Sequence, residues 1–290
     1  MKRTIMINKL AVMINKLAVI TFMAIFFVDC SSVKQAAGDP MSKIDWKKIQ
    51  VLVYTKNGKG YLHQNIAAAT GSIRQLGEQQ GFLVDVSDNP ADFTDENLKK
   101  YDALIFNNTN NGVFDTDAQK LALMHYIQAG GGFVGLHSAT GTERNWAWFK
   151  RLIGASFQRH AKHQPFTEII IDHSNASTSF LPRSWPQDDE CYFFKEVNPD
   201  LHVLVTHDLG TLKDDKDKPD FYGASSPSVW CHEFDGGREW YTSLGHDSAT
   251  YFKPDFQKHI LGGIEWVIGQ NKPLDYSRAH AKTPEDPLPY

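Results

Sequence analysis

The chain has 290 residues, a formal net charge of −4 and an aromatic content of 12%. This length fits one large domain. The sequence carries no basic patch, RNA-recognition motif or zinc-finger spacing, so nucleic acid is not expected as a partner. Seven Trp and ten Tyr residues are enough to line a carbohydrate-binding surface, although most aromatic side chains of a folded protein lie in its core.

A targeting segment is predicted at the amino terminus. Basic residues precede an apolar run over 17–28, which is too short to span a bilayer and has the length of a signal-peptide core. Cys30 follows directly, as in a lipoprotein signal, although Asp29 stands where a small residue is usual. We expect export to the periplasm or outer membrane, with membrane contact only through a lipid on Cys30. An intact mass that begins at Cys30 would support this anchor, and one that retains Met1 would refute it.

The remaining chain divides into a body and a tail. Residues 1–40 belong to the targeting segment and its linker, 41–272 to one α/β domain, and 273–290 to a proline-rich tail that we expect to run over the surface. Cys191 and Cys231 lie in the body. Their patterns favour two small buried thiols, and a disulfide between them stays open because an exported protein could form one.

Strands and helices alternate through the first half of the body. Apolar runs predict strands over 47–54, 82–86, 101–106 and 133–136. Helical spacing and capping residues predict helices over 63–80, 115–129 and 146–153, with a short helix opened by Thr94. Four such alternations require crossover connections and hence a parallel sheet. The expected fold is a doubly wound, flavodoxin-like α/β fold with strand order 2-1-3-4.

The second half of the body changes character. Further strands are predicted over 167–172, 201–206, 228–234 and 239–244, and the glycine-rich turn between the last two indicates a hairpin. A helix over 256–268 closes the domain. We therefore expect antiparallel strands to be added to the parallel sheet in this half.

Polar side chains follow three of the parallel strands. In an open parallel sheet, ligands bind outside the carboxyl ends of the strands. The topology therefore places these side chains at one edge of the sheet, where a pocket is expected. They are Tyr54, His63, Asn107, Asn108, His137 and Ser138.

The residues 135–139 have the form of a strand-to-helix elbow, which holds the nucleophile in many hydrolases and amidotransferases. His137 stands at the apex. Ser138 is an alternative nucleophile, although no GxSxG motif is present. A polar loop residue with satisfied hydrogen bonds is the simpler alternative for His137. We predict that His137 is the residue most sensitive to substitution.

Four further ionisable residues are candidates. His160 and His163 form an HxxH pair, which a helix would place on one face as two ligands for a divalent metal; a solvated pair is the alternative. Glu190 precedes the apolar segment 191–194, and His246 follows the last predicted strand. A carboxylate beside histidines suits general acid/base catalysis or metal binding.

The string Gly131 to Ala139 resembles the signature of the ThuA-like (trehalose-utilisation) family, as do residues near 61–63, 148–160 and 189–192 and a later block over 227–246. The resemblance covers about residues 47–270. It implies a class I glutamine amidotransferase-like fold. It also implies a link to trehalose and related disaccharides, through oxidised keto-sugar intermediates.

Two departures from related sequences stand out. The amidotransferase nucleophile is a Cys at the elbow, where this chain has His137, so glutamine hydrolysis is not expected. Glu239 and Trp240 stand where relatives tend to carry an apolar pair, which we interpret as surface variation in the hairpin.

Two classes of function therefore remain open, with an amidotransferase-type hydrolase a weaker third. The first is an exported enzyme acting on a disaccharide or keto sugar, in which His63, His137, Glu190 and His246 supply acid/base groups or ligands for a divalent metal. The second is a non-catalytic carbohydrate-binding lipoprotein that uses the same pocket. Convergent ionisable groups favour the enzyme, because binding alone needs mainly amides and aromatic rings. The expected substrate contacts are Tyr54, Asn107, Asn108, Ser138 and Trp230.

Overall fold

A computed structural model of the chain describes residues 44–214, 225–269 and 273–288. The targeting segment and Cys30 lie outside the described residues. Within the described ranges, no helix combines the length and the apolar composition needed to cross a membrane.

Within the described residues, nine strands form one sheet at the centre of the domain. Its first four strands in the chain are β1 (Gln50–Tyr54), β2 (Leu83–Ser87), β3 (Ala103–Asn107) and β4 (Gly132–Leu136). They are parallel and lie in the order β2-β1-β3-β4, which confirms the predicted order. β1, β3 and β4 are short and largely apolar because both of their faces are covered, whereas the edge strand β2 has no buried residue.

The second half of the chain extends the same sheet beyond β4. The added strands are, in spatial order, β11 (Gly237–Thr242), β10 (Ser225–Phe234), β9 (His202–Asp208), β6 (Gln164–Ile170) and β7 (Ser184–Asp189). β11 pairs parallel with β4, and the other added pairs are antiparallel. The carboxyl end of β11 therefore lies at the same edge of the sheet as those of β1, β3 and β4.

Helices cover both faces of the parallel part. They are α1 (Ile66–Gln80), α2 (Asp95–Leu98), α3 (Asp117–Gln128), α4 (Ala147–Ile153) and α5 (Pro254–Ile268). Along β1, Val51 and Val53 belong to the apolar core that contains residues of α1 and α5, whereas Leu52 belongs to the core formed with α3 and α4. This period-two alternation is what a doubly wound sheet requires.

Three strands were not predicted from the sequence. β5 (Ser156–His160) and β8 (Tyr192–Lys195) form a separate antiparallel pair, and β7 is an edge strand. β7 buries Gln187 and Asp189 on the same face as Trp185. Because its buried face is partly polar, the sequence does not show the alternation of apolar and polar residues that identifies a strand. β8 has only four residues, too few to show a period.

The interpretation of Glu239 and Trp240 as surface variation is wrong. Both residues lie within β11, and neither side chain is exposed to solvent. The reason is that β11 lies in the interior of the sheet and its faces are covered by helices, with α3, α4 and α5 in contact with it. Cys191 and Cys231 are likewise buried, and both are free thiols.

The carboxyl-terminal segment packs against the domain along its described part. The indole of Trp146 donates a 2.8 Å hydrogen bond to the carbonyl of Pro284. The side-chain oxygen of Gln128, in α3, accepts from the backbone amides of His280 and Ala281. Specific contacts with Trp146 and α3 therefore hold the segment 273–288 against the domain.

Candidate functional site

A cavity of about 550 Å³ opens at the carboxyl ends of β1, β3, β4 and β11. The size falls within the usual range for small-molecule sites. Fourteen described residues line it: Lys59, Gly60, Tyr61, His63, Asn110, Asn111, Ser138, Gly141, Arg144, Phe157, His160, Glu190, Tyr192 and His246. The topology thus brings together residues from strand-end loops that lie far apart in the chain. Of the six side chains expected at this edge, His63 and Ser138 line the cavity.

A second, larger cavity of about 730 Å³ lies at the opposite edge of the sheet, where β4 and β11 begin. Its described lining has no histidine, and Arg238 there is already engaged with Glu233 and the carbonyl of Trp266. We take the smaller cavity as the candidate site because ionisable side chains converge on it.

His137 lies beneath the cavity floor and is fully buried. Its Nδ1 lies 2.7 Å from the carbonyl of Ser243, which only accepts hydrogen bonds, so Nδ1 carries the proton. Its Nε2 then accepts a 2.8 Å bond from the hydroxyl of Tyr192. Burial, followed by the neighbouring His63, holds the pKa of His137 well below its ordinary value. The ring is therefore neutral, and its Nε2 lone pair is directed at the hydroxyl of Tyr192, a residue that lines the cavity.

His63 stands over His137, with the two ring centroids 5.0 Å apart and the planes nearly perpendicular. Its side chain belongs to the loop that precedes α1, because the helix begins at Ile66 and not at His63 as predicted. Nδ1 of His63 is buried without a hydrogen-bond partner. Burial, followed by repulsion from His246, lowers the pKa of His63 to about 4.

The carboxylate of Glu190 lies close to three histidine rings. Its Oε2 lies 3.1 Å from Nδ1 of His246 and 3.7 Å from Nε2 of His137, and its Oε1 lies 3.3 Å from Nδ1 of His160. The carboxylate raises the pKa of His246. Glu190 and His246 thus form a partly exposed ion pair beside two buried, neutral rings.

Asp189, which was not predicted as a site residue, holds the backbone of both Glu190 and His246. Its buried carboxylate accepts from the backbone amides of Gly245, His246 and Glu190, at 2.8, 3.1 and 2.7 Å. Burial raises the pKa of Asp189 to about 6 despite these three donors. The bonds fix the loop that carries His246 to the strand end that carries Glu190.

Four of the expected substrate contacts lie outside the cavity. The Tyr54 hydroxyl donates to the carbonyl of Val113, and the Trp230 indole donates to that of Ile153. Asn107 and Asn108 are fully buried and hydrogen-bonded to residues of the scaffold. The structure therefore corrects their assignment, because these side chains hold the sheet and its helices together. Ser138 does line the cavity, and its Oγ has no hydrogen-bond partner among the described residues.

The HxxH pair does not lie on a helix. His160 ends β5, and His163 follows it in a loop. His160 lines the cavity, whereas His163 is held by Asp247 at 2.9 Å and Asp188 at 3.4 Å. Residues 160–163 are not helical, so the two rings do not share a helix face. The prediction that they form a pair of metal ligands on one helix face is therefore wrong.

Several lining residues were missed from the sequence, namely Lys59, Tyr61, Asn111, Arg144, Phe157 and Tyr192. Tyr192 could have been found, because it lies two residues after Glu190 and so shares its face if the chain is extended. The others lie in loops or on β5, where no period identifies the side chains that face the cavity.

Comparison with known proteins places this site in a family context. The family model ThuA, described as trehalose utilisation, matches residues 50–267. A ThuA-like protein from Bacteroides uniformis has a similar structure, with a TM-score of 0.64 and 22% identity over 79% of this chain and 95% of that one. One from Parabacteroides merdae gives 0.58 and 18% over 76% and 90%. At these identities the two structures support the fold alone. No curated protein matches the chain.

Proposed function

The chain belongs to the ThuA family of trehalose utilisation, and we propose that its cavity is the active site of an enzyme that cleaves an oxidised (keto) disaccharide. The observation that carries this proposal is the position of Glu190, a carboxylate in the cavity with three histidine rings within 3.7 Å of its oxygens. Such a group is suited to moving a proton.

The rest of the cavity supports a sugar as the substrate. Asn110, Asn111 and Arg144 supply amide and guanidinium groups that hydrogen-bond hydroxyls. Tyr61 and Phe157 supply aromatic surface for the apolar face of a pyranose ring. Tyr61 is 60% exposed, so its ring is available at the cavity mouth.

The number of carboxylates favours the keto sugar over the native disaccharide. Most glycosidases cleave an unactivated glycosidic bond with two carboxyl groups on either side of it. Among the described residues that line this cavity, Glu190 is the sole carboxylate. A ketone at ring position 3 removes the need for the second, because it acidifies the hydrogen on the neighbouring carbon.

The proposed reaction is an elimination. Glu190 removes the hydrogen from the carbon between the ketone and the anomeric carbon, and the electron pair of that C–H bond passes into an enolate. Collapse of the enolate forms a carbon–carbon double bond and expels the glycosidic oxygen. Glu190, which then carries that proton, donates it to the leaving oxygen, so the products are an unsaturated keto sugar and a free sugar.

An activity assay on matched substrates tests this proposal. Purified protein is incubated with trehalose and with 3-keto-trehalose, and the products are identified by mass spectrometry. We expect release of glucose from the keto sugar only, with Glu190→Gln slower by about 10²–10⁴-fold. His202→Ala, which removes an exposed histidine paired with Asp172, serves as the control and keeps wild-type turnover.

Two results would overturn the proposal. Saturable sugar binding with no turnover would favour the carbohydrate-binding protein. Equal turnover by wild type and Glu190→Gln would remove the assigned base. An amidotransferase reaction finds no support in the cavity, because neither described thiol, Cys191 or Cys231, lines it.

A further inference from the structure

The rings of His63, His137 and His246 converge on one point, and we propose that they bind one divalent transition-metal ion of the zinc class. Each residue offers one ring nitrogen, and these nitrogens all lie within 4.8 Å of one another. The three rings meet at steep angles, with centroids 5.0 to 5.8 Å apart. They come from the loops after β1, β4 and β11, so the sheet itself fixes their separation.

The hydrogen bond of His137 is the kind that orients a metal ligand. Metal-bound histidines usually donate their other ring N–H to a carboxylate or a backbone carbonyl, which fixes the tautomer. Nδ1 of His137 makes that bond to the carbonyl of Ser243, and Nε2 is left to coordinate.

His63 supplies the second, independent observation. Its side chain is only 7% exposed, and its buried Nδ1 has no hydrogen-bond partner. A buried polar atom without a partner costs free energy, so such atoms in folded proteins usually have a ligand, ion or water that satisfies them. An ion between the three rings provides that partner.

The donors determine which metal fits. Three imidazole nitrogens suit Zn²⁺ or Co²⁺, whereas Mg²⁺ and Ca²⁺ prefer oxygen ligands. Bonds of about 2.0–2.1 Å in a tetrahedron place ligand nitrogens about 3.4 Å apart. The rings therefore have to close slightly by side-chain rotation. The Tyr192 hydroxyl, 2.8 Å from Nε2 of His137, has to move aside.

Metal binding stands on this geometry alone, and only its role in turnover rests on the proposed function. An ion at this point lies beside Glu190 and faces the cavity. There it would act as a Lewis acid for a sugar bearing a ketone next to a hydroxyl, since two adjacent oxygens can bind one ion together. Such an ion would favour hydroxy-ketone sugars over fully reduced sugars.

The test measures metal binding without any sugar. Chelator-treated full-length protein is titrated with Co²⁺, whose visible absorption reports tetrahedral coordination, and Zn²⁺ is then added to displace it. We expect one ion per chain. His63→Ala, His137→Ala and His246→Ala should each weaken binding by about 100-fold or more, since loss of outer-shell partners alone costs 10–100-fold.

Three further variants keep the result interpretable. His163→Ala tests the neighbouring HxxH histidine and His202→Ala an exposed one, and both should bind Co²⁺ as wild type does. Tyr192→Phe removes the hydroxyl that competes for Nε2 of His137, so its affinity should equal or exceed that of wild type. If His137→Ala fails to fold, His246→Gln is the decisive variant, because that ring is partly exposed.

The outcomes separate this proposal from the proposed function. No saturable binding of one ion per chain, or wild-type affinity in His246→Gln, overturns the metal site. Metal binding without turnover of a keto sugar leaves the metal site in place and overturns the enzyme. Turnover by metal-free protein at the wild-type rate overturns the role of the metal and leaves the enzyme in place.

Discussion

At the scale of single residues, His137 shows how the site is maintained. Its backbone has a φ of 48°, in the left-handed region that residues other than glycine rarely adopt. The Tyr241 hydroxyl donates a 2.6 Å bond to its carbonyl, and the Ser243 carbonyl holds its ring. Both partners belong to β11 or the loop after it, so a distant strand holds the strained elbow in place.

His259, in α5, should make stability depend on pH. Its buried ring contacts the carbonyl of Ser177 and the hydroxyl of Thr242, and Asp255 is the charged group nearby. Burial lowers its pKa to about 4, from 6.5 in the unfolded chain. Between these values the unfolded chain takes up a proton that the folded chain does not. The free energy of unfolding therefore falls as pH falls from 6.5 to 4.

We expect His259 to contribute about 2 kcal/mol to the loss of stability between pH 7.5 and pH 5. Urea unfolding of wild type and His259→Gln at both values measures this contribution, because the other histidines titrate in both proteins. The stability difference between the two proteins should shrink by that amount at pH 5. A difference that stays constant with pH would show that His259 is not the titrating group.

Glu239 should lower stability. Its carboxyl group is fully buried, and neither oxygen has a hydrogen-bond partner among the described residues. Burial raises its pKa well above the ordinary value. Because an unsatisfied buried polar group costs about 1–3 kcal/mol, Glu239→Met should raise the free energy of unfolding by about that amount.

The exposed Glu233 on the same hairpin provides the control. Glu233→Met removes a surface ion pair with Arg238 and should change stability by no more than about 0.5 kcal/mol. Both variants are compared with wild type by urea unfolding at neutral pH. Destabilisation by Glu239→Met would mean that its carboxyl group makes a stabilising contact in solution.

At the scale of elements, residues at the end of a strand belong to the buried sheet, whereas residues a few positions farther along the chain line the cavity. Tyr54 and Asn107 are the last residues of β1 and β3, so they still lie inside the sheet. His63 and Asn110 lie farther along the following loops and reach the cavity. Topology predicted the correct edge of the sheet, but alternation cannot show where a strand stops and its loop begins to face a ligand.

The close packing of α5 depends on a glycine. A Cβ at Gly262 would lie 2.4 Å from the backbone nitrogen of Ser177, a contact that only a backbone shift can relieve. Gly262→Ala should therefore lower the free energy of unfolding by about 1–3 kcal/mol or more. Gly71 in α1 is the matched control, because the nearest atom to its Cβ would be 3.9 Å away.

Gly71→Ala should raise stability by about 0.5–1 kcal/mol, since glycine in a helix costs that much relative to alanine. Chemical unfolding of both variants under one set of conditions measures the contrast. Equal effects of the two substitutions would show that helix propensity outweighs packing at Gly262.

At the scale of the whole molecule, the strands of the parallel half of the sheet were predicted better than the strands that the second half of the chain adds. Buried parallel strands are apolar along their whole length and alternate with helices, so their order follows from crossover rules. β5 and β8 carry polar and aromatic residues in short runs, and their pairing brings Tyr192 and His160 to the cavity. Local patterns do not record such long-range pairing, so β5 and β8 were not predicted.

The pairing of β4 with β11 determines when the site can form during synthesis. Gly132 pairs with Arg238, so a ribosome-bound chain that has not reached Arg238 leaves one edge of β4 open. Such a nascent chain also lacks Ser243 and His246. Parallel strands joined by long connections pair slowly, because loop closure must come before the contacts that offset it. The chain therefore cannot complete its pocket until it has been translated past His246.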